Sequence, residues 1–241
     1  DRALCGTLSM AVVNATLSPE GRARLHELLE SVYAPGAAED LTCRIAARLD
    51  GATARANSGP AWSASDVVLI TYADAIRDEG EAPLKPLRTF LRTHLSGLIG
   101  QVHLLPFFPF TSDDGFAVSD YRRVDSQHGS WADVRALSED VDLVFDLVIN
   151  HASSAHQLFQ DFLENKSPGN QFFMTADPSA DVSGVTRPRA TRLLQEYETR
   201  VGPRHVWCTF SRDQVDWDFS NPEVLYEFVD VVVEYIEHGA S

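Results

Sequence analysis

Apolar residues gather in three short runs separated by stretches at helical spacing. The runs are Val67-Val68-Leu69-Ile70-Thr71-Tyr72, Val102-His103-Leu104-Leu105 and Leu143-Val144-Phe145-Asp146-Leu147-Val148. Continuous apolar runs of this length predict strands buried on both faces of a parallel sheet. Between the first two, Leu87, Phe90, Leu91 and Leu95 share one face of a helix expected over residues 84–96. Before the third, Ser130-Trp131-Ala132-Asp133 opens another helix. Strand, helix, strand, helix, strand is the rhythm of parallel β/α units. It predicts that residues 67–72, 102–105 and 143–148 lie parallel and adjacent in that order.

Ahead of this core, Ser18-Pro19-Glu20 is a helix start, with Ser as N-cap, Pro in the first turn and an acid at the positive dipole end. Leu25, Leu28, Leu29 and Val32 recur at helical spacing, and Pro35-Gly36 reads as the stop. A second helix is expected from Glu39 to Leu49 with Leu41, Ile45 and Leu49 on one face, then a loop at Asn57-Ser58-Gly59-Pro60. After the third strand the rhythm breaks. Residues 151–208 are too long for a simple connection and carry Pro168-Gly169-Asn170, Asp177-Pro178 and Arg187-Pro188-Arg189. Asn221-Pro222-Glu223 then starts a helix with Val224, Leu225, Phe228, Val232, Tyr235 and Ile236 at helical spacing, ended by Gly239. The expected division is a helical extension over 1–62, strands with helices over 63–151, an inserted subdomain over 152–208 and a return to the main fold over 209–241.

Composition narrows the function classes. The 241 residues carry 20 Lys and Arg against 35 Asp and Glu, a net charge of -15. That disfavours nucleic acid or an anionic membrane surface and favours a neutral or small substrate. No stretch is long and apolar enough to span a bilayer. Cys5, Cys43 and Cys208 lack metal-ligand spacing and read as reduced, mostly buried thiols of a cytoplasmic protein.

The candidate chemistry starts at Asp146-Leu147-Val148-Ile149-Asn150-His151. Three polar groups close an apolar strand, and the ends of parallel strands are where chemistry sits. Asp146 inside the run requires a partner. The long loop before it reads Pro106-Phe107-Phe108-Pro109-Phe110-Thr111-Ser112-Asp113-Asp114-Gly115-Phe116. Aromatic faces beside carboxylates suit sugars, since rings stack on pyranose C–H faces and carboxylates accept from hydroxyls. An aromatic packing cluster with two solvated acids fits the same residues.

Seven stretches in order carry a resemblance. They are Val68 to Asp74, His103-Leu104-Leu105-Pro106-Phe107-Phe108, Ser112-Asp113-Asp114-Gly115-Phe116, Gly129-Ser130-Trp131, Asp146 to His151, Arg187-Pro188-Arg189 and Gln214-Val215-Asp216. With them the chain resembles the α-amylase family, glycoside hydrolase family 13, in its sucrose phosphorylase branch. The helical extension and the Ser-Asp-Asp-Gly-Phe loop resemble the glucosylglycerate phosphorylases more closely. The resemblance implies an α/β fold, the first three strands of a (β/α)8 TIM barrel. It implies retaining transfer of a glucosyl group to inorganic phosphate, from glucosylglycerate or alternatively sucrose. A hydrolase of the same family and a non-catalytic carbohydrate-binding protein are the other readings. The expected partners are a small-molecule glucoside and phosphate, with no cofactor and no metal.

The resemblance also implies roles. Asp113 matches the carboxylate that binds the distal hydroxyls of the glucosyl ring, and Phe116 the aromatic platform near the cleaved bond. His151 matches the histidine on O6, Gln214 a polar residue of the same pocket, and Arg189 a group facing phosphate or an anionic acceptor. Asn150 matches a calcium ligand of the amylases, which the phosphorylases generally do without, so it is read as structural. The nucleophile and the acid of the double displacement belong to the fourth and fifth barrel strands of the family, expected beyond Ser241. Asp216 and Asp218 are not expected to reach the anomeric carbon. The 241 residues alone are therefore expected to release no glucose 1-phosphate from glucosylglycerate or sucrose. Clear phosphate-dependent turnover by the purified chain would contradict this.

Overall fold

The computed structural model describes residues 12–14, 16–55, 67–187 and 189–241. Cys5, Pro188, most of the apolar start and the loop expected at residues 57–60 lie outside them. The N-terminal part is a short antiparallel pair, β1 (Val12–Asn14) with β2 (Thr53–Arg55), enclosing two helices. Helix α1 (Pro19–Glu30) is capped by Ser18, whose hydroxyl accepts from Gly21 N–H at 3.0 Å. Helix α2 runs Pro35–Asp50, so Pro35-Gly36 opens it instead of stopping α1. Proline at the first helical position loses no intrahelical bond there and brings a helical φ, so it starts helices well.

Three parallel strands follow, β3 (Val68–Thr71), β4 (Gln101–Leu104) and β5 (Asp142–Phe145), hydrogen-bonded in the order β3-β4-β5. Leu69, Val102 and Leu143 lie side by side in the register. Helix α3 (Leu84–Phe90), extended by a π-helical turn over Leu91–Leu95, connects the first two. Leu84, Leu87 and Leu91 face inward, while Phe90 is turned outward, against expectation. Helix α4 (Trp131–Ser138) leads into β5 and begins with a reciprocal cap between Ser130 and Asp133.

β5 is shorter than the apolar run predicts. Asp146 leaves the ladder to meet His103 on β4, carboxylate to ring nitrogen at 3.1 Å. The Val148 carbonyl takes the Tyr121 hydroxyl at 2.9 Å in place of a strand partner. His151 therefore begins a new strand, β6 (His151–Ser153), in place of ending the third parallel one. Helix α5 (Gln157–Leu163) and a hairpin, β7 (Leu194–Thr199) with β8 (Gly202–Trp207), occupy the following region. The chain returns through β9 (Gln214–Asp216), antiparallel to β6, into α6 (Pro222–Glu237).

One core joins these pieces. Leu104, Phe107, Phe108, Leu137 and Leu143 of the parallel units pack with Phe159, Val206, Val215, Trp217 and Phe228. On α6, Val231 and Val233 are buried and Val232 is 36% exposed, a shift of the expected face. Cys208 is buried as expected, but Cys43 is exposed on α2. Gly239 ends α6 at φ 108°, where a side chain would strike the Ser138 hydroxyl. Ala240 makes an isolated parallel bridge to Leu143, which sets the residues after α6 beside β5. The extension docks on α6 through Leu29, Ala38, Leu41 and Ile45 against Leu225, Tyr226 and Val229.

His156 caps α5, accepting from Leu158 N–H on its Nδ1 at 3.2 Å. Burial lowers its pKa from 6.5 to about 4. The unfolded chain therefore takes the proton first as pH falls, and stability is lost between pH 6.5 and about 4. The cost is about 2–3 kcal/mol, discounted because the residue is not fully shielded from solvent. Denaturant unfolding at pH 7 and pH 4.5 should show a smaller loss in His156→Asn, which caps without titrating. Equal losses in both proteins would contradict this assignment.

Candidate active site

The site lies where three segments meet: the loop after β4, the start of β6 and the start of β9. The loop turns sharply at Asp113 and Asp114, both left-handed with φ of 58° and 51°. Non-glycine residues rarely adopt this conformation, at a cost of about 1–2 kcal/mol each. Gly115 follows at φ 104°, and a Cβ there would lie 2.9 Å from the Pro106 carbonyl oxygen. The loop thus folds back on the end of β4, which only glycine permits. The turn lifts the Asp113 carboxylate toward β6 and β9.

β6 and β9 pair His151 opposite Asp216 and Ser153 opposite Gln214. His151, Ser153, Gln214 and Asp216 are all buried, and polar groups at that depth must be satisfied. Gln214 Nε2 donates to Asp113 Oδ2 at 2.9 Å, and Ser211 Oγ donates to Gln214 Oε1 at 2.9 Å. His151 Nε2 lies 3.0 Å from the Phe116 carbonyl, and its Nδ1 lies 3.3 Å from Asn150 Nδ2. These partners fix the proton placement. Nδ1 accepts from the Asn150 amide, so Nε2 carries the hydrogen and donates to Phe116. The 3.1 Å contact of His151 Nε2 with Gln214 Nε2 is then a packing contact between two donors. Burial lowers the His151 pKa, against the opposing pull of the Phe116 carbonyl and of Asp216 and Asp113. The ring is neutral at pH 7.

Arg189 approaches from residues 186–193, its Nη2 3.6 Å from Asp113 Oδ1. The Asp113 carboxylate thus meets an amide on one oxygen and a guanidinium on the other, and stays partly open to solvent. The pair is half exposed, so its contribution to stability is small. Asp216 is held by the Thr209 N–H at 3.2 Å and by the Thr209 hydroxyl. Burial raises its pKa, partly countered by these bonds.

The five residues singled out from sequence therefore converge: Asp113, His151, Gln214 and Arg189 through side chains, and Phe116 through its carbonyl with its ring half-buried. Two neighbours were missed. Phe210 places its ring 5.0 Å from that of His151. Asp213 gathers hydroxyls from the loop and from Ser154, just after β6. The paired Thr111-Ser112 and Ser153-Ser154 were the available signal, since clustered hydroxyls call for an acceptor. Next to the site, Tyr72, Asp74, Pro106, Phe110, Asp114 and His128 line a cavity of about 360 Å³ over the ends of β3 and β4. Among the described residues no group of three His, Cys, Asp or Glu is arranged to hold a metal ion. Chemically, the site offers one charged acceptor, one neutral ring N–H, amide donors and aromatic surface, a set suited to hydroxyl groups.

The chain is 47% identical over 226 residues to a glucosylglycerate phosphorylase of Spirochaeta thermophila, covering 90% of this chain and 38% of that protein. It is 44% identical over 227 residues to a glucosylglycerate phosphorylase of Allomeiothermus silvanus, covering 94% and 40%. A sucrose phosphorylase of Streptococcus mutans is 35% identical over 178 residues, covering 69% and 36%. Among solved structures, a sucrose 6F-phosphate phosphorylase from Thermoanaerobacter thermosaccharolyticum superposes with a TM-score of 0.67 at 28% identity, over 73% of this chain and 38% of that one. The chain thus spans about two-fifths of the length of these relatives. Its parallel strands and helices are part of a (β/α)8 barrel like theirs. The family model "Alpha amylase, catalytic domain" matches residues 97–241, and the chain belongs to the α-amylase family.

Proposed function

We propose that the whole protein is a retaining glucoside phosphorylase and that this chain supplies its glucosyl-binding side. The observation that carries the reading is the convergence of Asp113, His151 and Gln214 from three separate segments. In this reading the Asp113 carboxylate accepts from distal hydroxyls of the glucosyl ring. The neutral His151 shares its Nε2 hydrogen with O6, and Phe116 borders the cleaved bond. Arg189 draws in an anion, the phosphate or an acidic acceptor.

Double displacement needs two carboxyl groups about 5 Å apart across the bond. Asp213 and Asp216 are engaged by serine and threonine groups and are not assigned to that role. We assign the chain to binding and orientation, with nucleophile and acid contributed by other parts of the protein. Water or phosphate can resolve a glucosyl-enzyme, and the residues present bear on the choice only through Arg189.

Glucosylglycerate is the favoured donor because three glucosylglycerate phosphorylases are 44–47% identical, with similarity over 75–94% of this chain. It falls to 69% and 64% with two sucrose phosphorylases. The decisive assay follows glucose 1-phosphate released from glucosylglycerate and from sucrose, with and without phosphate. Phosphate-dependent release, faster from glucosylglycerate, is the expected result. Release of free glucose independent of phosphate would replace the reading with hydrolysis.

Asp113→Ala should lower glucosyl transfer at least tenfold, since a lost charge-assisted hydrogen bond costs about 2 kcal/mol or more. Steady-state kinetics of that variant check it. Unchanged kcat/KM would remove Asp113 from the site.

A further inference from the structure

Among the described residues the Asp213 side chain hydrogen-bonds to none of the side chains assigned to the sugar, yet it ties together all three segments that carry them. Its Oδ2 accepts from Thr111 Oγ1 at 2.5 Å and from Ser112 Oγ at 2.5 Å, both in the loop and just before Asp113. Its Oδ1 accepts from Ser154 Oγ at 2.7 Å, three residues after His151. Its own backbone carbonyl takes Ser154 N–H at 2.8 Å, and Gln214 is the next residue. The proton count closes. Ser153 Oγ accepts from Ala155 N–H at 2.9 Å and lies 2.6 Å from Thr111 Oγ1. Because Thr111 gives its proton to Asp213, Ser153 gives its own to Thr111. The contact of Ser153 with Asp213, at 3.4 Å, is the weakest of the set.

Distances of 2.5–2.7 Å are those of hydroxyls on an ionised carboxylate. A carboxylate has about four acceptor sites, whereas a side-chain amide has two and presents donors on its other end. The site thus suits Asp specifically. Burial pushes the Asp213 pKa up, but the hydroxyls of Ser112, Thr111 and Ser154 outweigh it and hold the group below its ordinary value. The left-handed backbone at Asp113 and Asp114 begins one residue after the Ser112 anchor. Such conformations persist only where surroundings impose them.

We propose that Asp213 is the positioning residue of the glucosyl pocket, fixing Asp113, His151 and Gln214 relative to one another. The inference rests on the sugar-binding reading above, but not on phosphorolysis. Errors of about 1 Å in such a constellation cost roughly a hundredfold.

The test uses the whole protein. Asp213→Ala should raise KM for the glucosyl donor at least tenfold and leave KM for phosphate within twofold. Asp213→Asn should recover part of the loss. Ser154→Ala should reproduce part of the donor effect and add little in the Asp213→Ala background. Leu137→Ala, on the buried face of α4, serves as the comparison: it should lower Tm without changing donor KM. An unchanged donor KM in Asp213→Ala, or equal rises for donor and phosphate, would overturn the proposal. Full additivity of Ser154→Ala with Asp213→Ala would also overturn it, because Asp213 would then act on the sugar directly. If the wild-type protein turns over no glucoside, the phosphorylase reading fails separately, and glucose affinity by calorimetry becomes the readout. A tenfold weaker affinity in Asp213→Ala supports the proposal. Equal affinities, or no binding by the wild type, refute it.

Discussion

Two buried polar side chains, His151 and Gln214, constrain everything around them. They sit on the antiparallel pair β6–β9 with Ser153 and Asp216 buried beside them, in a core made mainly of aromatic and aliphatic groups. An unsatisfied polar group at this depth costs about 1–3 kcal/mol. Each must find partners, and the partners come from elsewhere in the chain. Gln214 finds Asp113, His151 finds the Phe116 carbonyl, and both lie on a loop more than thirty residues before β6. The need to satisfy the strand pair thus brings the loop to the strand ends. The same bonds that close the fold set the partly exposed Asp113 carboxylate over a buried, neutral imidazole.

The loop is held from the other side as well. Arg122, near its end, bonds Glu227 at 2.7 Å and Asp230 at 2.9 Å on α6. Arg48 of the N-terminal extension also reaches Asp230, and Arg44 grips Glu223 through two bonds of 2.6 and 2.8 Å. Helix α6 is therefore an acidic spine shared by the extension and the loop that carries Asp113 and Phe116. These pairs are partly exposed and worth little singly, but a shared acid couples the two arginines. Tyr33 adds a bond from its hydroxyl to the Phe219 carbonyl at 2.8 Å. The extension is in this way tied to the same helix that braces the loop.

The parallel sheet was legible because its strands are continuous apolar runs bounded by Pro106 and by helix starts. What sequence misjudged has local causes. The third run looked longer than its strand because Asp146 and Val148 bond to side chains, which pattern does not reveal. Pro35-Gly36 reads as a stop by composition, although proline equally opens a helix. Spacing alone places Phe90 and Val232 inward, whereas Phe90 lies off the buried face of Leu84, Leu87 and Leu91 and α6 packs on two sides. Asp113, His151 and Gln214 were found through motifs. Asp213 was not, because its role depends on hydroxyls from positions 111, 112 and 154 that only the fold brings together.

The central claim is that Asp113, His151 and Gln214 form one face of a glucosyl site. A crystal structure of the whole protein with glucose bound tests it most directly. The account expects the ring within hydrogen-bonding distance of the Asp113 carboxylate and of His151 Nε2, with the β6–β9 pair unmoved. Glucose bound elsewhere, with Gln214 and the Phe116 carbonyl still occupying those two groups, would contradict it.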